Sequence, residues 1–242
     1  MNERIKLGII GKNISYSFSK KYFEQKFEQL KLQNLSYSVF DLDTISEVEE
    51  IFEIKNLRGF NVTIPFKEKI LTYLDSLSPE ASKIGAVNTV LIQDGKKTGY
   101  NTDAFGFEST LLQHKSIDHQ SALILGDGGA AKAVKYVLEK YQIPFQTVSR
   151  KGKITFENLT SAMVRSNLLI IQCTPVGTFP NISDCLNFPF EGLTSEHLVF
   201  DLIYNPTQTQ FLKKAAEQNA ITVNGAHMLE EQAEKSWEIW NI

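Results

Sequence analysis

The stretch Ser121-Ala122-Leu123-Ile124-Leu125-Gly126-Asp127-Gly128-Gly129-Ala130-Ala131 decides how this chain reads. A short apolar run enters a glycine cluster, and a helical pattern, Ala133 to Leu138, leaves it. Strand, glycine turn and helix in that order fit the G-x-G-x-x-(G/A) arrangement that binds dinucleotides. Gly126 allows the tight turn, Gly128 lets the backbone approach a pyrophosphate, and Ala131 permits close packing of helix on strand. Gly129 and Ala130 then offer helix-start N–H groups to the anion. The plain alternative is a glycine-rich turn with no ligand.

The next strand sharpens the choice of dinucleotide. An NAD site carries Asp or Glu about 20 residues beyond the first glycine. Here the strand ends Thr147-Val148-Ser149-Arg150-Lys151, with two cations and no acid. Ser149 and Arg150 suit a 2′-phosphate through charge-assisted hydrogen bonds, which favours NADP over NAD. A solvated basic turn is the competing reading. Asp127 is awkward, because a carboxylate beside a pyrophosphate repels it unless the side chain points away.

Strand and helix patterns alternate on both sides of this segment. Ile5 to Ile10, Tyr37 to Leu42 and Phe60 to Ile64 read as strands, the last stopped by Pro65. Tyr22, Phe23, Phe27 and Leu30 fall at helical spacing behind Ser17 and Ser19, and Val48, Ile51 and Phe52 mark a second helix. Val87 to Ile92 and Lys97 to Tyr100 flank Asp94-Gly95 and predict an antiparallel hairpin. After a helix over Ala104 to His114, strands are expected at Phe145 to Ser149, Leu168 to Gln172, Leu198 to Leu202 and Ile221 to Val223. A last helix, Met228 to Trp240, closes the pattern. The fold class is α/β with two domains: residues 1–103, mainly parallel, joined by a returning helix 226–242, and a Rossmann-type domain over 104–225.

The 242 residues carry 28 acidic and 25 basic side chains, a net charge of −3, and 42% are apolar. That is too apolar and too balanced for a disordered chain, and it lacks the basic face of a nucleic-acid or membrane-surface protein. No apolar run nears the roughly 18 residues of a membrane span, and the run after Met1-Asn2-Glu3-Arg4 is too short for a signal-peptide core. Cys173 and Cys185 have no flanking His pair, so neither a disulfide framework nor a metal site is expected. The expectation is a cytoplasmic protein with reduced thiols, monomeric or homodimeric.

Three polar clusters interrupt the first half where plain strand ends would serve: Gly11 to Ser19, Gly59 to Lys67, and Gly85 to Thr89 with Gly99 to Asp103. Each alone is ordinary capping and turn chemistry. Together they place hydroxyls, amides, an ammonium and a carboxylate at several strand ends, where open α/β sheets bind small polar ligands.

At these residues the chain resembles the shikimate dehydrogenase family. Gly59-Phe60-Asn61-Val62-Thr63-Ile64-Pro65-Phe66-Lys67 is similar to its most distinctive segment. Gly85 to Thr89, Asn101-Thr102-Asp103, Gly126 to Ala131, Cys173 to Thr178, Asp201 to Thr209 and Asn224 to Gln232 follow in family order. The resemblance implies NADP-dependent interconversion of 3-dehydroshikimate and shikimate, in the synthesis of aromatic precursors. It implies Lys67 and Asp103 as the catalytic pair, with the lysine donating to the carbonyl oxygen and the aspartate holding lysine and hydroxyl in line. Ser17, Ser19, Asn61, Thr63, Asn88, Tyr204 and Gln232 would bind the ring hydroxyls and carboxylate, and Thr174 and Gly225 would join the cofactor loops. A broader quinate/shikimate dehydrogenase, using NAD, and a non-catalytic ligand sensor are the alternatives. Departures from the family pattern are Asn13 for Pro, Tyr16 for His, Ala104 for Gly, Asp127 for a small residue, and the variant segment Ala226-His227-Met228. His114 and His119 flank a polar connector and read as solvated, and Trp237 and Trp240 as packing residues.

Overall fold

The computed structural model describes residues 4–15 and 17–240, so Tyr16 lies outside the described residues. The chain forms two compact units, Met1–Thr102 with Ala233–Ile242, and Asp103–Gln232. The units part the last helix between Gln232 and Ala233 rather than at 226, and group Asp103 with the second.

The first unit is built on strands β1 (Ile5–Gly11), β2 (Leu35–Asp41), β3 (Leu57–Val62), β4 (Ser76–Leu77), β5 (Thr89–Gln93) and β6 (Lys96–Tyr100), in the order β2-β1-β3-β5-β6-β4. Pairing is parallel for β1 with β2 and β3 and for β4 with β6, and antiparallel for β3–β5 and β5–β6. The hairpin turns at Asp94 and Gly95, both at positive φ (52° and 75°), as a tight two-residue connection requires. Alternation along β1 sends Leu7 and Ile9 into one core cluster and Ile10 into another. The first cluster also takes Phe23 and Phe27 of α1 (Phe18–Gln29) and the fully buried Trp240. The second takes Val48 and Ile51 of α2 (Val48–Phe52), Phe66, and Ala81 of α3 (Pro79–Ile84). The α3 helix begins at Ser78, whose hydroxyl accepts the Ala81 N–H, and stops at Gly85 with φ 68°.

The second unit opens with α4 (Asp103–His114) and continues with β7 (Ala122–Leu125), α5 (Gly129–Lys140), β8 (Phe145–Val148), α6 (Ser161–Arg165), β9 (Leu169–Gln172), β10 (Leu198–Asp201), α7 (Gln210–Glu217), β11 (Ile221–Val223) and the start of α8 (Ala226–Trp240). Its five strands pair in parallel in the order β11-β10-β9-β7-β8. This is a doubly wound sheet whose connections reverse direction between β7 and β9. The four residues of β7 are wholly buried, as a central parallel strand covered on both faces must be. Ala131, Val134, Val137 and Leu138 turn the apolar side of α5 inward.

Among the described residues, no helix is long and apolar enough to cross a membrane.

Candidate active site

Strand direction gathers the polar clusters of the first unit. The carboxyl ends of β1, β3 and β6 and the start of antiparallel β5 lie on one edge of the sheet, because Ile10 pairs with Val62, Asn61 with Thr89, and Thr89 with Tyr100. The chain beyond β3 is pinned there: Thr63 N–H donates to Ile10 O at 3.0 Å, and Phe66 is buried in the core. Lys67 follows, half-buried, with its carbonyl accepting the Val87 N–H at 2.8 Å. Beyond β1, Asp41 accepts the amides of Asn13 and Ile14 at 2.7 and 3.2 Å, shaping the approach to Ser17.

A buried polar network ties this edge together. Tyr37 donates its hydroxyl to Asn61 Oδ1 at 2.7 Å and also bonds Ser19. Asn61 Nδ2 donates to Ser236 Oγ at 3.0 Å and to Thr89 Oγ1 at 3.2 Å. The hydroxyls of Thr102 and Ser236 lie 3.2 Å apart, Asn88 Nδ2 donates to Thr102 Oγ1 at 2.9 Å, and Thr102 N–H returns to Asn88 Oδ1 at 2.6 Å. Burial pushes the Tyr37 phenol well above its ordinary range, so it stays a neutral donor. Asn61 is only 4% exposed, with both ends of its carboxamide engaged within the protein. Tyr37 and Ser236 have no role in the sequence pattern, and Thr89 and Thr102 enter it only as members of the polar clusters. A tyrosine in an amphipathic strand and a serine in a helix give no local sign of meeting.

In the second unit the strand reversal places two loops side by side. Gly126, at φ 114°, lies against Thr174, so closely that an added Cβ would come within 3.0 Å of the threonine methyl. The Thr174 loop is held by buried Gln172, whose Oε1 accepts Thr174 N–H and whose Nε2 donates to Val176 O. Gly128 differs from its neighbour. Its backbone (φ −94°, ψ −172°) suits any residue, and an added Cβ would meet nothing within 4 Å. Neither backbone geometry nor packing asks for glycine there, and the room lies directly before the first turn of α5. That is the space a diphosphate needs against the N–H groups of Gly129 and Ala130. Ser149 and exposed Arg150 follow β8, which pairs with β7, and Gly126 N–H donates to Val148 O at 2.8 Å. The residues present therefore fit NADP, with the basic end beside the glycine loop.

The remaining candidates are distributed through this unit. Asp103 begins α4 and is 6% exposed. Tyr204 is half-buried in the loop after β10, and Gln232 is buried in α8, where its Nε2 donates to Leu229 O at 2.9 Å. Gly225 packs on the backbone of Leu202 and donates its N–H to Ile203 O at 3.0 Å, so close packing accounts for that glycine. Asp201 is buried beneath the Tyr204 loop and accepts from Ile203 N–H at 3.0 Å and Thr209 Oγ1 at 2.6 Å.

The expectation of a solvated His119 is corrected. Its ring is 2% exposed, Nδ1 accepts the Ser116 N–H at 2.9 Å, and Nε2 lies 3.1 Å from Glu196 O. His197 repeats the arrangement with Thr194 N–H at 3.0 Å and Val164 O at 3.1 Å. Polar neighbours in sequence conceal that each ring closes a local turn just before a strand, His119 before β7 and His197 before β10. His114 is exposed.

A family model for the shikimate dehydrogenase substrate binding domain matches residues 9–90. A shikimate dehydrogenase (NADP(+)) of Staphylococcus epidermidis is 35% identical over 98% of this chain and 91% of its own length. This chain belongs to the shikimate dehydrogenase family. Another such dehydrogenase, from Clostridium beijerinckii, is 36% identical over 96% of this chain and 90% of its own. The shikimate 5-dehydrogenase of Thermus thermophilus, solved in complex with NADP(H) and shikimate, is 30% identical with a TM-score of 0.86, covering 98% of this chain and 93% of that one.

Set against the shikimate dehydrogenase pattern, the departures at Asn13 and Asp127 have local explanations. Asn13 stands at φ 57° and donates its N–H to Asp41, neither of which a proline allows. Ala104 is buried within the first turn of α4. His227 Nε2 lies 2.7 Å from Gln113 Nε2, which places the ring's proton on Nδ1 when the amide donates. Asp127 is paired with Lys135.

Proposed function

We propose that this protein is an NADPH-dependent shikimate dehydrogenase, reducing 3-dehydroshikimate reversibly to shikimate in the route to chorismate and the aromatic amino acids. The observation that carries the cofactor half is the unfilled space at Gly128, at the point where the strand order reverses. The substrate half follows the family, whose Staphylococcus epidermidis member is named for NADP(+) and shikimate.

NADPH, when bound, supplies the hydride. Lys67 donates a proton to the ketone oxygen as negative charge builds there, its backbone held by Val87. Asp103 accepts from the reacting hydroxyl and fixes its direction. Ser17, Ser19, Thr63, Asn88, Tyr204 and Gln232 bind the ring hydroxyls and carboxylate. Asn61 joins them, its carboxamide oriented by Tyr37 and Ser236. Gly126, Gly128, Gly129 and Ala130 hold the diphosphate, Ser149 and Arg150 the 2′-phosphate, and Thr174 and Gly225 flank the nicotinamide end. In domain terms, residues 1–103 with the end of α8 bind substrate and the Gly126 sheet binds NADP. The balanced charge and unpaired cysteines suit a cytoplasmic enzyme, monomeric or homodimeric, without nucleic-acid or membrane partners.

The test is NADPH oxidation that requires 3-dehydroshikimate. Lys67→Ala is expected to lose about 10²- to 10⁴-fold in kcat while retaining NADPH binding. An unaffected Lys67→Ala removes this lysine from the chemistry. Shikimate binding without turnover would make the protein a sensor.

A further inference from the structure

Asp127 stands inside the glycine loop, one residue before the space at Gly128, and its side chain is 53% exposed. A carboxylate there opposes an anionic ligand, and the fold answers it. Lys135, on the second turn of α5, extends back along the helix and pairs Nζ with Asp127 Oδ1, while its own side chain is only 25% exposed. The ammonium also acts on the Cys173 thiol at the end of β9, opposing the upward push of burial, so its charge reaches the strand reversal itself. Cys173 immediately precedes Thr174, the residue against Gly126.

We propose that Lys135 is a positioning residue for the dinucleotide: by pairing with Asp127 it neutralises and fixes the loop's carboxylate, and so sets the affinity for NADP(H). The inference rests on Gly126–Ala131 being the diphosphate loop. Lys135 need not touch the ligand. Its charge cancels one that would otherwise stand beside two phosphates.

Equilibrium dissociation constants for NADPH, with the melting temperature of each ligand-free variant, test this. Lys135→Gln exposes an unpaired carboxylate and is expected to weaken NADPH about three- to tenfold. Asp127→Asn leaves an unpaired ammonium and is expected to tighten it about two- to fivefold. The double variant and Lys135→Arg return to within about twofold of the parent protein, since both remove the uncompensated negative charge. If Lys135→Gln weakens binding and Asp127→Asn fails to rescue it, the lysine acts on the ligand or the helix directly and the inference falls. Four equal constants also overturn it. Gly128→Val separates this from the loop assignment, because the first carbon of its side chain meets nothing within 4 Å in the ligand-free protein. A Gly128→Val protein that binds NADPH normally sinks the loop assignment and the inference together. Lost binding in Gly128→Val alongside four equal constants sinks the pairing alone.

Discussion

Thr209 donates its hydroxyl to the Asp201 carboxylate at 2.6 Å, tying the end of β10 to the start of α7. The same oxygen accepts the Leu212 N–H at 3.2 Å, so one hydroxyl caps a helix and satisfies a buried acid. Between these two residues runs the loop carrying Tyr204.

Burial pushes the Asp201 carboxyl up to about 6, with Thr209 and the Ile203 amide pulling the other way. A carboxyl raised above its unfolded value contributes stability below about pH 4, and that contribution is lost as pH rises through about 6. The stability of the protein relative to Asp201→Asn should therefore decline between pH 4 and neutrality, by on the order of 3 kcal/mol. Denaturant titrations of both proteins across that range measure it. A pH-independent difference would contradict the assignment.

His119 shifts in the opposite sense. Burial lowers its pKa, aided by the Lys115 and His197 charges and opposed by Glu196 O and Asp118. Both ring nitrogens are engaged in the neutral form, so its contribution is present above about pH 6.5 and is lost as pH falls. The stability gap between the protein and His119→Gln should narrow as pH falls from 7 to 5. A gap that widened would mean the ring is charged in the fold.

Tyr37→Phe removes the donor to Asn61 Oδ1 while keeping the ring stacked on Phe23, with centroids 4.8 Å apart. The expected cost is about 1–3 kcal/mol of stability for an unsatisfied buried acceptor. Because Ser19 and Asn61 lose their common partner, KM for shikimate should rise by more than kcat falls. Steady-state kinetics beside thermal denaturation separates the two effects. A change in stability alone would limit Tyr37 to the fold.

Arg150→Ala should raise KM for NADPH at least about tenfold and leave NADH nearly unchanged, since only NADPH carries the 2′-phosphate. Equal losses for both cofactors would place Arg150 elsewhere in the site.

Much of the fold is legible because its signals are local. The run from Ser121 to Ala131 contains a strand, a turn that needs glycine and a helix start within eleven residues, and each is recognised by its own chemistry. Asp94-Gly95 announces its hairpin for the same reason. The α3 helix escapes notice although Ser78, Pro79 and Gly85 bracket it, because six residues are too few to show a helical period. The parallel β4–β6 pairing is equally hidden, since a two-residue strand has no pattern.

The site divides along the same line. Sequence alone determined which chemical groups are available: the glycine loop, the cations after β8, Lys67, Asp103 and the hydroxyls and amides of the strand ends. Only tertiary structure decided which of them the fold engages and which it leaves for a ligand. Tyr37 reaches Asn61 across 24 residues and Ser236 reaches it across 175. Asp127 is answered from Lys135, and His119 is buried under a carbonyl 77 residues away. The physical reason is that a buried polar group must find a partner, and sheet order and helix docking, rather than neighbours in the chain, decide which partner is within reach.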